Sequence, residues 1–177
     1  MDIRPDTKDW TWVLDRPCPE CGFDSRSPER QDLADLAAAV GGRWADALSA
    51  AGAAQTRPGP SVWSPLEYAC HVRDVYALAD YRVRLMLDED DPLFANWDQD
   101  ATAVESDYSA QDPRAVSVQV RAVADAFAGL LAGMDVGGWA RSGRRSDGAA
   151  FTVESFTRYV LHDVVHHLTD VTGAAWA

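Results

Sequence analysis

The sequence predicts an all-α fold: a four-helix bundle in up-down-down-up order, preceded by an irregular arm. Three observations predict it. Four stretches carry apolar residues at helical spacing, each opened by a helix-start signal. Alternating β-branched runs are scarce. The connection between the second and third stretches, Asp88 to Gln111, is long enough to run the length of a bundle, so those two helices can be parallel.

The arm comes first, residues 1–26 of a single domain spanning 1–177. Trp10, Trp12 and Val13 are apolar enough to pack on something and let the arm cover part of the domain. Cys18-Pro19-Glu20-Cys21-Gly22 is a C-x-x-C knuckle. A zinc knuckle needs four ligands, and no second pair follows; the remaining cysteine is Cys70, with no histidine near the knuckle in sequence. A reduced turn without chemistry, a disulfide or redox pair, and a metal site all stay open for it.

The bundle is expected over 28–172. Ser27-Pro28-Glu29 offers an N-cap, a proline at the first helical position and an acid in the first turn. Leu33, Leu36, Val40, Trp44 and Leu48 follow at helical spacing, and Gly52 with Pro58-Gly59-Pro60 ends this helix. Ser64-Pro65-Leu66-Glu67 starts the second with a capping box, and it runs to about Leu87. Asp112-Pro113 starts the third, which carries Val116, Val120, Phe127 and Leu131 and stops at Gly137-Gly138. Thr152 starts the fourth and Gly173 ends it. Between the last two, Arg141 to Gly148 reads as a solvated polar loop. It sits about fifteen residues, or ~22 Å of helix, from His167, so it is not an obvious partner of a metal there; its three arginines leave another anion site or a dimer contact as the other reading. Asp98 and Asp100 read as turn and capping residues.

Composition excludes some partners. The net charge of −12 repels phosphate backbones and anionic membranes, so nucleic acid is not an expected partner. No uninterrupted apolar run is long enough to span a membrane, and the N-terminus is polar, so a cytoplasmic location is expected. One lysine beside fifteen arginines suggests a GC-rich bacterial genome.

The chemistry concentrates in the histidines. Of four, three lie at 162, 166 and 167, and the fourth is His71. Residues four apart share a helix face, so His162/His166 and Asp163/His167 are both candidate ligand pairs for one ion. His71 falls among Val75, Leu78 and Leu85 and points at the core. It meets the fourth helix only if the second and fourth are antiparallel, which the predicted order delivers. The apolar face of the fourth helix centres on Phe156, Val160, Val164 and Val171. Asp163 and His167 flank that face, whereas His162 and His166 lie nearly opposite its centre. The expected metal set is therefore His71, Asp163 and His167, with His162/His166 as the alternative pair. His162 is otherwise a solvated residue. His166 is a proton shuttle or orienting residue, and Asp170 orients a histidine through its second nitrogen. Trp63, Tyr68 and Tyr108 are expected at the pocket mouth.

Trp63-Ser64-Pro65-Leu66-Glu67-Tyr68-Ala69-Cys70-His71-Val72 and Asp163-Val164-Val165-His166-His167-Leu168-Thr169-Asp170-Val171 resemble the DinB-like family of bacterial four-helix proteins. That family includes the metal-binding domain of mycothiol-dependent maleylpyruvate isomerases and the bacillithiol or mycothiol S-transferases. The resemblance spans about 28–172. It implies a divalent ion, zinc first and nickel second, held by residues matching His71, Asp163 and His167. Aspartate stands where many members have histidine and the isomerase branch has glutamate. The resemblance further implies a low-molecular-weight thiol (mycothiol) as co-substrate, an electrophile as partner, a role in stress response, and a homodimer as one assembly state. Activities compatible with it are thiol S-transfer or isomerisation, metal-assisted hydrolysis, and a non-catalytic bundle. The C-x-x-C arm resembles an actinobacterial subgroup rather than the family at large.

Overall fold

The computed structural model describes residues 9–176. The part of the predicted arm before Asp9 lies outside the described residues.

Four long helices form the bundle: α1 (Leu33–Ala50), α2 (Pro65–Asp88), α4 (Pro113–Ala132) and α5 (Val153–Thr172). Between α2 and α4 lies a short helix, α3 (Gln99–Glu105). Before α5 come two short antiparallel strands, β1 (Ser142–Arg144) and β2 (Ala150–Thr152). The helix starts follow local chemistry. Ser64 accepts from the Glu67 backbone N–H while the Glu67 carboxylate accepts from the Ser64 N–H, which closes the capping box on α2. Asp112 caps α4 ahead of Pro113. At α5 the box is closed by Ser155, and Gly173 ends the helix in the left-handed region.

The order is up-down-down-up. Ser117 of early α4 donates to Ala45 O of late α1, so α1 and α4 are antiparallel. Arg73 donates to Gln119, early residue to early residue, so α2 and α4 are parallel. Arg30, just before α1, pairs with Glu154 at the start of α5. Trp44 Nε1 donates to Val164 O at 2.8 Å, tying these two parallel helices together at mid-length. The closest crossing is α1 on α4, where a Cβ on Gly41 would lie 2.2 Å from that of Ala124. The core holds Trp44, Tyr76, Phe127, Leu131, Phe156 and Leu161, all buried.

Three local expectations are corrected. The first helix begins at Leu33, after a 3-10 turn at Arg30–Asp32, because Glu29 stays extended and Ser27 is drawn into a turn onto Asp24 O. The third ends at Ala132, with Gly133 as its cap, several residues before Gly137. The Arg141–Gly148 stretch is a hairpin rather than a loop. It is pinned by Phe94 N–H to Arg144 O (2.7 Å) and Arg144 N–H to Pro92 O (2.8 Å), with Gly143 packed where a side chain would strike Phe94 and Met86. By length and composition alone, α4 could cross a membrane, although Arg121 and Asp125 interrupt its apolar run. Its Val116, Val120, Ala124, Phe127 and Leu131 stripe is buried in the bundle.

Candidate metal centres

His71 sits in the second turn of α2, fully buried. Its Nε2 lies 3.4 Å from Asp163 Oδ1, and His167 Nε2 lies 3.5 Å from the same oxygen. One ligating atom from each of the three falls within 4.8 Å of the others. Separations of 3.4–3.5 Å are long for hydrogen bonds, which cluster near 2.9 Å. They suit two donors sharing one ion, since metal–N and metal–O lengths of about 2.0–2.2 Å give tetrahedral edges of roughly 3.4 Å. The donor set, two imidazoles and a carboxylate, is that of sites that keep a position open. The three residues therefore fit a divalent ion.

The surroundings orient this set. His167 Nδ1 lies 2.9 Å from Asp170 Oδ2, so an Nδ1–H donated there leaves the Nε2 lone pair facing Asp163. His71 Nδ1 is buried without a partner among the described residues, so packing fixes the ring instead. Trp97 stacks on it at 5.6 Å and 16°, and Trp63 lies against it at 5.3 Å. Burial works against ionisation of Asp163. The polar contact with His71 and the fields of His167, His71 and His162 outweigh it, holding the carboxyl down at about 2. Asp163 is thus an anionic donor at neutral pH.

The site opens into a cleft of about 660 Å³, within the usual range for small-molecule pockets. Trp63, Tyr68 and Trp97 line one part of it, and Arg82, Arg145 and Tyr159 another. Of the three expected mouth residues, Trp63 and Tyr68 are there. Tyr108 is not: it is buried behind Trp63, its ring 6.4 Å away and its hydroxyl donating to Asp74. The Arg141–Gly148 stretch was expected far from His167, yet Arg145, Ser146 and Asp147 line the same cleft. The helical distance misled because the cleft runs along the α2–α5 face. The hairpin reaches it through Arg145, which donates to Tyr159 one turn before Asp163. Asp98 caps α3, accepting from the Asp100 and Ala101 N–H groups, and also lines the cleft. Trp97 was not expected at the site. Its only sequence signal is a tryptophan in a long connection.

His162 and His166 also line the cleft, but they turn toward the arm rather than toward His71. His162 is not solvated: Trp10 and Trp12 of the arm cover it at ring distances of 5.5 and 6.4 Å, and it is 3% exposed. Burial, then the neighbouring His166, pulls its pKa to about 4, so it is neutral. Its Nε2 is buried with no partner among the described residues, an arrangement that costs roughly 1–3 kcal/mol when nothing satisfies it. His166 is not behind the His71 set either. Its Nδ1 faces Cys18 Sγ at 3.7 Å, and its Nε2 faces Glu20 at 3.6 Å and Asp170 at 3.9 Å. Cys18, Cys21, His162 and His166 together bring four ligating atoms within 4.8 Å of one another. Neither cysteine is in a disulfide. Burial pushes the Cys21 thiol up to about 12.

A family model for the DinB superfamily matches residues 44–171, which include α2, α4 and nearly all of α5. The chain belongs to the DinB superfamily. The bundle is also similar to YfiT from Bacillus subtilis, described as a probable metal-dependent hydrolase with an unusual four-helix bundle topology. The TM-score is 0.72 and identity 18%, over 84% of this chain and 90% of that one, a likeness of fold. A comparison with curated proteins finds no match. The matched span leaves out the arm, so Cys18 and Cys21 stand outside the part that defines this chain as a DinB protein.

Proposed function

We propose that this DinB protein is a divalent-metal enzyme that joins a small thiol, of the mycothiol type, to an electrophile. One observation carries the reading: two imidazole nitrogens and one carboxylate oxygen converge on the wall of an open cleft. His71, Asp163 and His167 would hold the ion, zinc before nickel. When bound, such an ion is a Lewis acid that lowers the pKa of a thiol or water brought to it.

The chain's own residues supply the rest. Asp170, 2.9 Å from His167 Nδ1, favours the tautomer whose Nε2 lone pair points to Asp163. The stacked Trp97 and the tilted Trp63 pack against His71 and fix its ring. Tyr68, 5.0 Å from the His167 ring, narrows the approach to the site. The cleft is larger than a single small reactant needs, which suits two substrates side by side. Its aromatic and carboxylate walls (Trp97, Asp98, Asp100) suit the sugar part of a sugar-bearing thiol. Arg82 lends a positive charge to the lining and suits an electrophile that carries a carboxylate, whereas Arg145 is already paired with Asp147.

Metal-assisted hydrolysis is the second reading, favoured by the likeness to YfiT. Turnover of a panel of electrophiles by zinc- and nickel-loaded protein, with and without mycothiol, separates the two. Thiol-dependent product that vanishes in Asp163→Ala supports transfer. Ester or amide cleavage that ignores the thiol supports hydrolysis. No turnover in either arm would sink the enzymatic reading.

A further inference from the structure

The described residues hold a second constellation of metal-binding donors beside the first, its two histidines also lining the cleft but sharing no donor with the His71 set. We propose that Cys18, Cys21, His162 and His166 form a structural zinc site that fastens the N-terminal arm to α5.

Four observations carry it. First, the donors are two sulfurs and two imidazole nitrogens, the Cys₂His₂ set of closed tetrahedral zinc sites. Second, the spacing is right at each end. Cys18 and Cys21 are a C-x₂-C pair, and His162 and His166 stand four apart on a helix, as the histidines of such sites do. Third, the geometry is close to that of a filled site. Zinc–sulfur and zinc–nitrogen lengths of about 2.3 and 2.0–2.1 Å set a tetrahedral S···N edge near 3.6 Å. The Cys18 Sγ to His166 Nδ1 separation is 3.7 Å. Fourth, His162 is 3% exposed and its Nε2 has no other partner among the described residues, which an ion would provide.

The knuckle is shaped for this. Gly22 N–H donates to Cys18 O, and Cys18 N–H to Phe23 O, folding the turn so that both cysteines point inward; Gly22 takes the positive φ this needs. Trp176 N–H donates to Cys21 O, and its ring packs edge-on to Phe23, so the C-terminal tail closes over the knuckle. Glu20 lies 3.6 Å from His166 Nε2, on the side away from Cys18, where a carboxylate steadies a ligating histidine. Four protein ligands would leave no position for a substrate, and Trp10 and Trp12 cover His162. The site is therefore structural, and its chemistry is that of an anchor. Binding Zn²⁺ displaces the two thiol protons and leaves a neutral Zn(Cys⁻)₂(His)₂ unit.

The test uses the full chain and counts zinc. A His71→Ala/His167→Ala variant lacks two of the cleft's candidate ligands, so zinc that it retains belongs elsewhere. The expected result is one zinc per chain that survives mild chelation. Loading this variant with Co²⁺ instead should give near-ultraviolet thiolate-to-cobalt charge-transfer absorption. Cys18→Ser/Cys21→Ser in the same background should lose both the zinc and the band. In the wild-type chain, titration with an organomercurial should release one zinc as two thiols react, which decides the matter even if the serine variant does not fold. Retention of the same zinc in a folded serine variant would overturn the proposal. So would absence of zinc and of the cobalt band from the His71→Ala/His167→Ala protein, or mercurial modification of Cys18 and Cys21 without zinc release. These outcomes are independent of the cleft site, whose failure would appear only in the wild-type minus variant difference.

Discussion

Two neighbouring pairs on one helix, His162/His166 and Asp163/His167, are offset by a single residue and turn to different partners on adjacent faces of α5. One residue of helix is about 100° of rotation, enough to change the partner element entirely. The Asp163/His167 pair turns toward α2 and meets His71 at the edge of a cleft, with Asp163 29% exposed at its side chain. The His162/His166 pair turns toward the arm and meets two cysteines under tryptophan. The first cluster has three donors, one a carboxylate, and an open side. The second has four donors, two of them sulfur, and is closed. The contrast teaches that enclosure and donor count, rather than the histidines themselves, separate a site suited to chemistry from one suited to holding structure. Asp170 lies between them, 2.9 Å from His167 and 3.9 Å from His166, so the two clusters share one carboxylate neighbour.

The contrast can be broken most directly at the open cluster. Asp163→Ala should lower turnover by at least about 10³-fold, roughly 4 kcal/mol of barrier, while the melting temperature moves by only a few degrees. Calorimetry beside the assay checks this, and a collapse of the fold would make the open cluster structural too. At the closed cluster the expectation reverses. Cys18→Ser/Cys21→Ser should free the arm, so that amide protons over 11–25 exchange rapidly while those of α2 and α4 stay protected. Activity should fall by less than in Asp163→Ala, because of the described residues of the arm only Trp10 and Glu20 line the cleft.

A smaller effect tests how His71 is placed. Glu67, one turn before His71, is buried in an ion pair with Arg57. Burial opposes the Glu67 charge, but Arg57 and the Ser64 groups outweigh it and hold the carboxyl below its usual value. A depressed carboxyl stabilises the fold above its unfolded pKa, and that contribution disappears as pH falls through the lower, folded value. Acid should therefore loosen the start of α2 below about pH 4. Arg57→Ala should cost about 2 kcal/mol at neutral pH, less than a fully buried pair because Arg57 is partly exposed, as read by urea unfolding. The smallest effect separates the clusters through their shared neighbour. Asp170→Asn should weaken zinc binding in the cleft by about 10–100-fold and leave the cysteine-bound zinc unchanged. Competitive chelator titration checks it, and equal loss from both clusters would mean that they act as one unit.

The helices were legible because their signals are local. Ser64 and Glu67, Asp112 and Pro113, and Thr152 and Gly173 each mark a boundary through contacts within one turn, and each boundary lies within a residue or two of its signal. The long connection was enough to suggest the up-down-down-up order. The grouping of His71 with Asp163 and His167 followed from helix phase and that order together. What escaped were the contacts made by the irregular stretches. Trp97 reaches His71 because Phe94 zips onto the hairpin, a contact between two irregular stretches with no periodicity to reveal it. Tyr108 carried the same aromatic signal as Trp63 but turns inward to Asp74.

The cysteine knuckle shows where the division lies. By itself the sequence determined the helices, their phase and the two histidine-bearing faces, because the 3.6-residue repeat and the caps are set by neighbours. It also carried the four donors of the closed cluster, but in two halves, with Cys18 and His166 standing 148 positions apart. Only the tertiary structure decided that the polar side of α5 is covered by the arm rather than by water. Docking of Trp10, Trp12 and the knuckle buries that side, and burial is a property of the packed chain that no local pattern encodes.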